Sequence, residues 1–339
     1  MQAGLLAQHL FFPFNFRPHC SPLSLPRLIF QTLRAIKPPK LYSKRNLGFR
    51  CRSIMVSSSP PPVVVKDKID LTEKERQIFD RLLGVVRHFK LRTQLRVAGG
   101  WVRDKLLGRE CYDIDIALDD MKGEEFCEKV NEYCSYIGQE EKKIGVIRCN
   151  PDQSKHLETA RIRLFDMWID FVNLRSESYC ENSRIPTMQF GTAEEDAYRR
   201  DLTINSLFYN INKESIEDFT NRGISDLKCG RIVTPLPPKE TFLDDPLRVL
   251  RAIRFGARFE FVLDEELKKA ATCNEVKVAI SKKISRERIG IEIDLMVSGN
   301  QPSKAMGCIC ELELFWIVFS LPHNFEPVVP EGYDRFLLV

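Results

Sequence analysis

From Asp113 to Leu118 the chain reads Asp-Ile-Asp-Ile-Ala-Leu, a strict period of two that fits a β-strand with unlike faces. Ile114, Ile116 and Leu118 fall on the face that buries into a sheet, and Asp113 and Asp115 fall on the other. Two carboxylates one residue apart repel each other unless a cation sits between them. Mg²⁺ suits such a pair, since it takes one or two carboxylates together with phosphate oxygens. A solvent-facing strand with two acids is the plainer alternative. Asp is a poor strand former, however, so two in one short strand need a reason.

Just upstream, Leu95–Ala98 reads as a short strand that runs into Gly99-Gly100, followed by a short helix over Val102–Leu107 that Gly108 ends. The glycines let the backbone approach an anion closely, and the N–H groups at the helix start face it. Arg103, one turn in, adds a forked contact to phosphate, with Asp104 as the partner that orients it. No G-x-x-x-x-G-K-[ST] and no G-x-G-x-x-G occurs, which weakens the kinase and Rossmann dehydrogenase readings. Within one supersecondary unit the chain thus carries parts for a nucleoside triphosphate and its Mg²⁺.

Three further sets are candidates. Asp170, in the alternating stretch Trp168–Asn173, is a third metal ligand, a base for a 3′-hydroxyl proton, or an ordinary strand acid. In Arg199-Arg200-Asp201-Leu202-Thr203-Ile204-Asn205, the arginines offer phosphate or ribose contacts and Asp201 accepts from sugar hydroxyls, with Asn205 in the same nucleotide-binding set. The same segment also reads as a helix start, with Asp201 as N-cap and Leu202, Ile204 and Leu207 packed inward. In Asp244-Asp245-Pro246, one Asp is expected to cap a helix with Pro at its first position. Arg248 and Arg251 then share one face, and Val249, Leu250 and Ile253 another. A carboxylate beside a guanidinium pairs an acceptor with donors, which matches the amino group and ring nitrogen of cytosine and adenine. Guanine and uracil present the reverse pattern and leave unmatched groups.

Helical periodicity begins at Leu71-Thr72-Glu73, with Ile78, Phe79, Leu82, Leu83, Val86 and Phe89 as an apolar stripe. Glu124–Tyr136 reads as helix, Ile144–Arg148 as strand, and Arg161–Leu164 with Trp168–Leu174 as an alternating pair. Strand signals fade after about residue 233. Pro246–Phe255, Glu265–Thr272 and Arg286–Met296 are helical. The fold class is therefore α+β, a mixed sheet with helices followed by an all-α continuation.

The formal net charge of +4 hides an asymmetry. Residues 1–56 hold nine Lys or Arg and no acid, so the remainder is net acidic and gives no global argument for a nucleic-acid partner. The basic, partly amphipathic start (Leu25, Leu28, Ile29, Leu33 and Ile36 among Arg27, Arg34 and Lys37) reads as an organellar transit peptide, with an RNA-gripping arm as the alternative. It implies mitochondrion and/or chloroplast. Translation from Met55, just before the Pro/Ser linker Ser57–Val65, gives an untargeted cytoplasmic or nuclear form. The 11 Cys lack a C-x-x-C pair and a zinc spacing, and are expected as buried reduced thiols. No apolar run reaches the ~20 residues of a membrane span.

Taken together, GGWVRDKLLG with DIDIAL, RRDLTINSLFYN, EDFTNRGISDL, DDPLRVLRAIRFGARF and SRERIGIEI follow a family order. From about residue 70 to 335 the chain resembles the class II CCA-adding tRNA nucleotidyltransferases of the polymerase-β-like superfamily, nearest their plant and fungal members. With the transit peptide read at 1–56 and a linker at 57–70, the resemblance implies a nucleotidyltransferase head at 71–228 and a helical, base-selecting neck at 229–300. Residues 301–339 are then the start of a helical body that looks truncated.

It also implies Mg²⁺ on Asp113 and Asp115, the triphosphate near Gly100 and Arg103, and ribose selection around Arg200 and Asp201. Asp218–Asp226 is the implied hinge, and Asp245 and Arg248, supported by Arg251, are the implied template. Asp244 stands where the family often has Glu. The implied reaction adds C, C and A to a tRNA 3′ end from CTP and ATP and releases pyrophosphate. Rival readings are a poly(A) polymerase of the same superfamily, a truncated non-catalytic RNA- or nucleotide-binding chain, and a plain α+β domain.

Overall fold

In the computed structural model the strand at 113–118 becomes the centre of a seven-stranded sheet. The structure describes residues 63–147, 158–178 and 187–320; the expected transit peptide, Arg148 and residues 321–339 lie outside them.

Thr72 opens α1 (Glu73–His88) with a capping box: its hydroxyl accepts the Glu75 N–H while the Glu75 carboxylate accepts the Thr72 N–H. β1 (Arg96–Ala98) runs into α2 (Gly100–Leu106), which starts two residues earlier than the sequence suggested because Gly99 takes the N-cap. Glu75 also accepts from Trp101 Nε1 at 3.0 Å and Lys105 Nζ at 2.6 Å, which ties the start of α1 to α2.

β2 (Ile114–Leu118) and α3 (Gly123–Tyr136) follow, then β3 (Gly145–Ile147), β4 (Thr159–Leu164) and β5 (Met167–Asn173). β6 (Arg175–Ser178) and β7 (Thr187–Phe190) form a separate hairpin before α4 (Ala193–Tyr198). Where a helix from Asp201 was expected there is only a 3₁₀ turn, Thr203–Asn205, although Leu202, Ile204 and Leu207 do pack inward. Two strands unforeseen in the sequence, β8 (Phe208–Asn210) and β9 (Ser215–Glu217), complete the sheet in the order β3-β4-β5-β2-β1-β8-β9. Among the described residues of this sheet only β2 and β5 run parallel, in a register that sets Asp115 beside Asp170.

Helix α3 lies against β4 and β5 and meets α1, so one sheet face buries Ile114, Ile116, Leu118, Phe126, Ile169 and Phe171 in the main core. Burying a side chain of this size contributes about 1.5–3 kcal/mol, which fixes the strand and leaves its acids on the opposite face. There a small cluster of Ala98, Ala117, Leu174, Ala193, Ala197 and Phe208 keeps the floor shallow.

The rest of the chain is α5 (Gly223–Cys229), β10 (Arg231–Ile232), α6 (Pro238–Asp244), α7 (Leu247–Phe259), β11 (Val262–Leu263), α8 (Glu265–Ala271), α9 (Asn274–Lys283), α10 (Arg286–Val297), α11 (Pro302–Glu311) and α12 (Phe315–Val318). The helical continuation is as expected, apart from the two-residue parallel pair of β10 and β11. Residue 245 departs from the expected cap. Asp245 ends α6 in an extended conformation (φ −132°, ψ 99°), as a residue before Pro prefers, and Pro246 takes the N-cap of α7. The Asp245 carboxylate still accepts the Leu247 N–H at 3.2 Å. No helix among the described residues is long and apolar enough to cross a membrane. The described cysteines are unpaired, but only Cys127 and Cys134 are buried, which corrects the expectation of thiols sealed in the core.

Candidate active site

Asp115 and Asp170 are direct neighbours on parallel strands, and Asp113 stands one residue before β2. Their carboxylate oxygens lie within 4.8 Å of one another. Burial, with the charges of Asp113 and Asp170, pushes Asp115 up to about 6, while Arg200 and Arg161 pull the other way. An oxygen-only donor set that repels itself fits a divalent cation.

The sign of this shift gives a pH prediction. Asp115 takes up its proton more readily in the folded protein than at its ordinary value of 3.8. Metal-free stability is therefore highest below pH 4 for this group and falls by about 3 kcal/mol as pH rises through 6. Divalent-ion affinity moves oppositely, weakening as pH falls through 6. Denaturant titrations in chelator, comparing the wild type with Asp115→Asn from pH 4 to 8, check the first half, and Mn²⁺ titrations check the second.

Asp115 lies on the wall of a cleft of about 340 Å³ that the sheet shares with α4, α7 and α10. Its lining sets six arginines (Arg175, Arg199, Arg200, Arg248, Arg251 and Arg288) against four aspartates, a balance that suits a polyanion. Asp196 on α4, 1% exposed, organises the arginine cluster on one side of the cleft. Its Oδ1 accepts from Arg199 Nε at 3.0 Å and its Oδ2 from Arg200 Nε at 2.9 Å, and the Arg175 N–H also reaches it at 3.3 Å. Burial raises Asp196, but Arg200 and Arg199 outweigh it and hold the carboxyl below its ordinary range. Gly99 makes room for this cluster. At φ +69°, a Cβ there would come within 2.7 Å of Arg200 Nη1 and 3.2 Å of the Asn205 carbonyl oxygen.

Arg103 corrects the sequence expectation of a fork reaching for phosphate. It is buried, donates to Asp104 Oδ1 at 2.8 Å and to the Asn205 side-chain oxygen, and lies 5.0 Å and 4.7 Å from the ring centroids of Phe255 and Phe259 on α7. Asp104 does orient it, and also meets Arg258 at 3.3 Å. Asn205 is likewise buried, spanning Arg103 and Asp201. Both fasten α7 to α2 and the 3₁₀ turn; neither lines the cleft, nor do Gly99 and Gly100.

Asp201 lines the cleft and is at the same time bound to the protein on both carboxylate oxygens. Its Oδ1 accepts the Leu202 N–H at 2.9 Å and Asn205 Nδ2 at 3.1 Å, while Oδ2 accepts Arg251 Nε at 2.8 Å. Burial raises its pKa, but Arg251 and these hydrogen bonds more than compensate and bring it to about 2.

Asp245 and Arg248 both line the cleft, already partnered. Arg288 Nη2 donates to Asp245 Oδ2 at 3.0 Å, and Arg248 Nη2 donates to the Arg199 carbonyl oxygen at 2.6 Å. Asp244, the last residue of α6, is not in the cleft lining. Sequence reasoning did not single out Asp196, Arg161, Arg175 or Arg288. Arg288 lay inside a recognised block, SRERIGIEI, and Asp196 had only its position four residues before Arg200 to mark it.

A mixed sheet carrying a carboxylate triad, followed by helices that complete a basic cleft, is the architecture of a nucleotidyltransferase head and its helical continuation. Residues 95–233 match the family described as the poly A polymerase head domain. The mitochondrial CCA tRNA nucleotidyltransferase of Candida glabrata is 48% identical over 278 residues, covering 79% of this chain and 52% of that one. Its Saccharomyces cerevisiae counterpart is 52% identical over 239 residues, covering 69% and 44%. A solved CCA-adding enzyme in an apo form superposes with a TM-score of 0.60 at 27% identity, over 76% of this chain and 57% of that one. The chain belongs to the class II CCA-adding tRNA nucleotidyltransferase family, and it spans about half the length of the curated relatives it matches.

Proposed function

We propose that the protein joins cytidylate, cytidylate and adenylate in turn to the 3′ end of tRNA, using CTP and ATP and releasing pyrophosphate. The observation that carries this reading is the shared cleft: Asp115 of the triad and Asp245 and Arg248 of the α6–α7 junction line the same cavity. In this reading one cavity serves both the chemistry and the choice of base. The names of the yeast relatives favour CCA addition over poly(A) synthesis.

In this reading Asp113, Asp115 and Asp170 hold Mg²⁺, which when bound polarises the α-phosphate and makes the 3′-hydroxyl more acidic. Arg199 and Arg200, held by Asp196, bind the triphosphate. The 3′ oxygen forms its bond to the α-phosphorus as the bond to pyrophosphate breaks, and the hydroxyl proton leaves to solvent or to Asp170. Asp245 accepts from the base amino group, and Arg248 donates to the adjacent ring nitrogen. For that, the base displaces the Arg199 carbonyl from Arg248 and shares Asp245 with Arg288. Residues 1–56 direct the chain to the mitochondrion, with the chloroplast and a Met55-initiated cytoplasmic or nuclear form as further destinations.

The test is incorporation of each labelled triphosphate into tRNA ending before CCA. CTP is expected to add twice, ATP to add only after it, and UTP and GTP to fail. ATP alone adding repeatedly would establish a poly(A) polymerase, and nucleotide binding without incorporation would establish a non-catalytic chain. Asp245→Ala is expected to reduce the preference for CTP over UTP about tenfold, since one base-reading hydrogen bond is lost. Unchanged discrimination in that variant would exclude Asp245 from the template.

A further inference from the structure

Arg161 on β4 lies directly across from Asp170 on β5, and Asp170 lies directly across from Asp115 on β2. One row of the sheet therefore reads Arg161, Asp170, Asp115. The Arg161 guanidinium grips both Asp170 oxygens, Nε on Oδ1 and Nη2 on Oδ2 at 2.5 Å. Before any metal arrives, a protein cation thus already occupies the third carboxylate of the triad. The two partners differ in exposure: the Arg161 side chain is 40% exposed and Asp170 only 14%. The aspartate is fixed in the sheet, while the arginine has open solvent to move into.

We infer that Arg161 is the resident counter-ion of Asp170 and is exchanged for the divalent cation when the metal site fills, so that Arg161 sets metal affinity. The inference rests on the triad being the metal site. A carboxylate has lone pairs beyond those a bidentate arginine uses, but a guanidinium and a divalent ion on the same carboxylate repel each other. The ion pair must loosen for Asp170 to ligate. Arg161 holds Asp170 pointed along the row while the site is empty and competes with the metal as it enters. It is a positioning residue, and its effect belongs to metal binding before it belongs to turnover.

The test is a Mn²⁺ titration of the full chain at pH 8, read by electron paramagnetic resonance of free Mn²⁺. Arg161→Ala is expected to bind Mn²⁺ about three- to fivefold more tightly than the wild type, the scale of a partly exposed ion pair. Arg161→Lys, which keeps the charge without the fork, falls between them. In an Asp170→Asn background the same Arg161→Ala change should have a clearly smaller effect, because the exchange site is gone and only the longer-range pull of Arg161 on Asp115 remains. Equal or weaker Mn²⁺ binding by Arg161→Ala overturns the inference, as does an increase that persists undiminished in Asp170→Asn. Arg161→Gln decides the matter if the alanine variant does not fold. Wild-type Mn²⁺ affinity in Asp113→Ala/Asp115→Ala is a separate result: it removes the metal-site reading, and the inference goes with it.

Discussion

Replacing Asp113 and Asp115 together with alanine is expected to reduce nucleotide incorporation at least about a thousandfold, because the charge stabilisation a bound cation supplies amounts to several kcal/mol. The same substitution is expected to leave the metal-free protein at pH 8 as stable as the wild type, or more so. Asp115 is raised to about 6 by burial and by its neighbours Asp113 and Asp170, so the ionised Asp115 opposes folding when no cation is present. Removing two of the three charges relieves a cost of up to about 3 kcal/mol at that pH. Loss of activity with a gain of stability separates a metal site from a structural acid pair, whose removal costs stability. Incorporation assays beside urea unfolding in chelator provide both readings, and a destabilised variant would falsify the metal assignment. The wild type should in turn be stabilised by Mg²⁺ and the variant should not, since only a state that binds the ion gains from it.

What the sequence exposed of this site follows from the range of each signal. The alternation at Asp113–Leu118 is local, because successive side chains on a strand face opposite ways, and the structure bears it out. The match of Asp115 to Asp170 could be guessed from a second alternating stretch, but the parallel register that makes them neighbours is a property of the sheet. Arg103 shows the opposite case. Its spacing behind Gly99-Gly100 suggested phosphate, yet Phe255 and Phe259, more than 150 residues on, enclose it. Burial of that kind leaves no trace in the surrounding residues. Asp196 was hidden for a related reason: in Ala193-Glu194-Glu195-Asp196 it resembles the ordinary acidic first turn of a helix. Only the folded turn reveals that its carboxylate lies beneath two arginines. Of the two candidate caps, Asp245 meets the role only in part: its carboxylate accepts the Leu247 N–H, but the preceding residues already form α6, so the chain bends at Asp245-Pro246 instead of starting afresh.

The second large effect is expected at Asp201, which joins the sheet side of the cleft to α7. Asp201→Ala removes the acceptor for Arg251 Nε, Asn205 Nδ2 and the Leu202 N–H at once. Loss of one partner from a buried pair costs about 3–5 kcal/mol. Here Arg251 keeps 35% of its side chain exposed and rehydrates in part, so we expect about 2–3 kcal/mol. The pH dependence has a definite sign. Asp201 is held near 2 in the folded protein against an ordinary value of 3.8, so its contribution is complete above about pH 4 and is lost as pH falls through 2. Asp201→Ala should therefore differ most from the wild type at neutral pH, with the gap closing in acid. A cycle of Asp201→Ala, Arg251→Ala and the double variant, followed by urea unfolding, isolates the pair. A coupling below about 0.5 kcal/mol would show that the two contribute independently. The functional consequence follows from the same geometry. Asp245 lies at the α6–α7 junction and Arg248 in the first turn of α7, so loosening the Asp201–Arg251 joint lets the base-reading wall drift from the triad. CTP KM should rise and selection against UTP should weaken in Asp201→Ala while Mn²⁺ affinity stays at the wild-type value. That combination assigns Asp201 to the joint between the two walls, whereas direct ribose binding would raise KM without altering the choice of base.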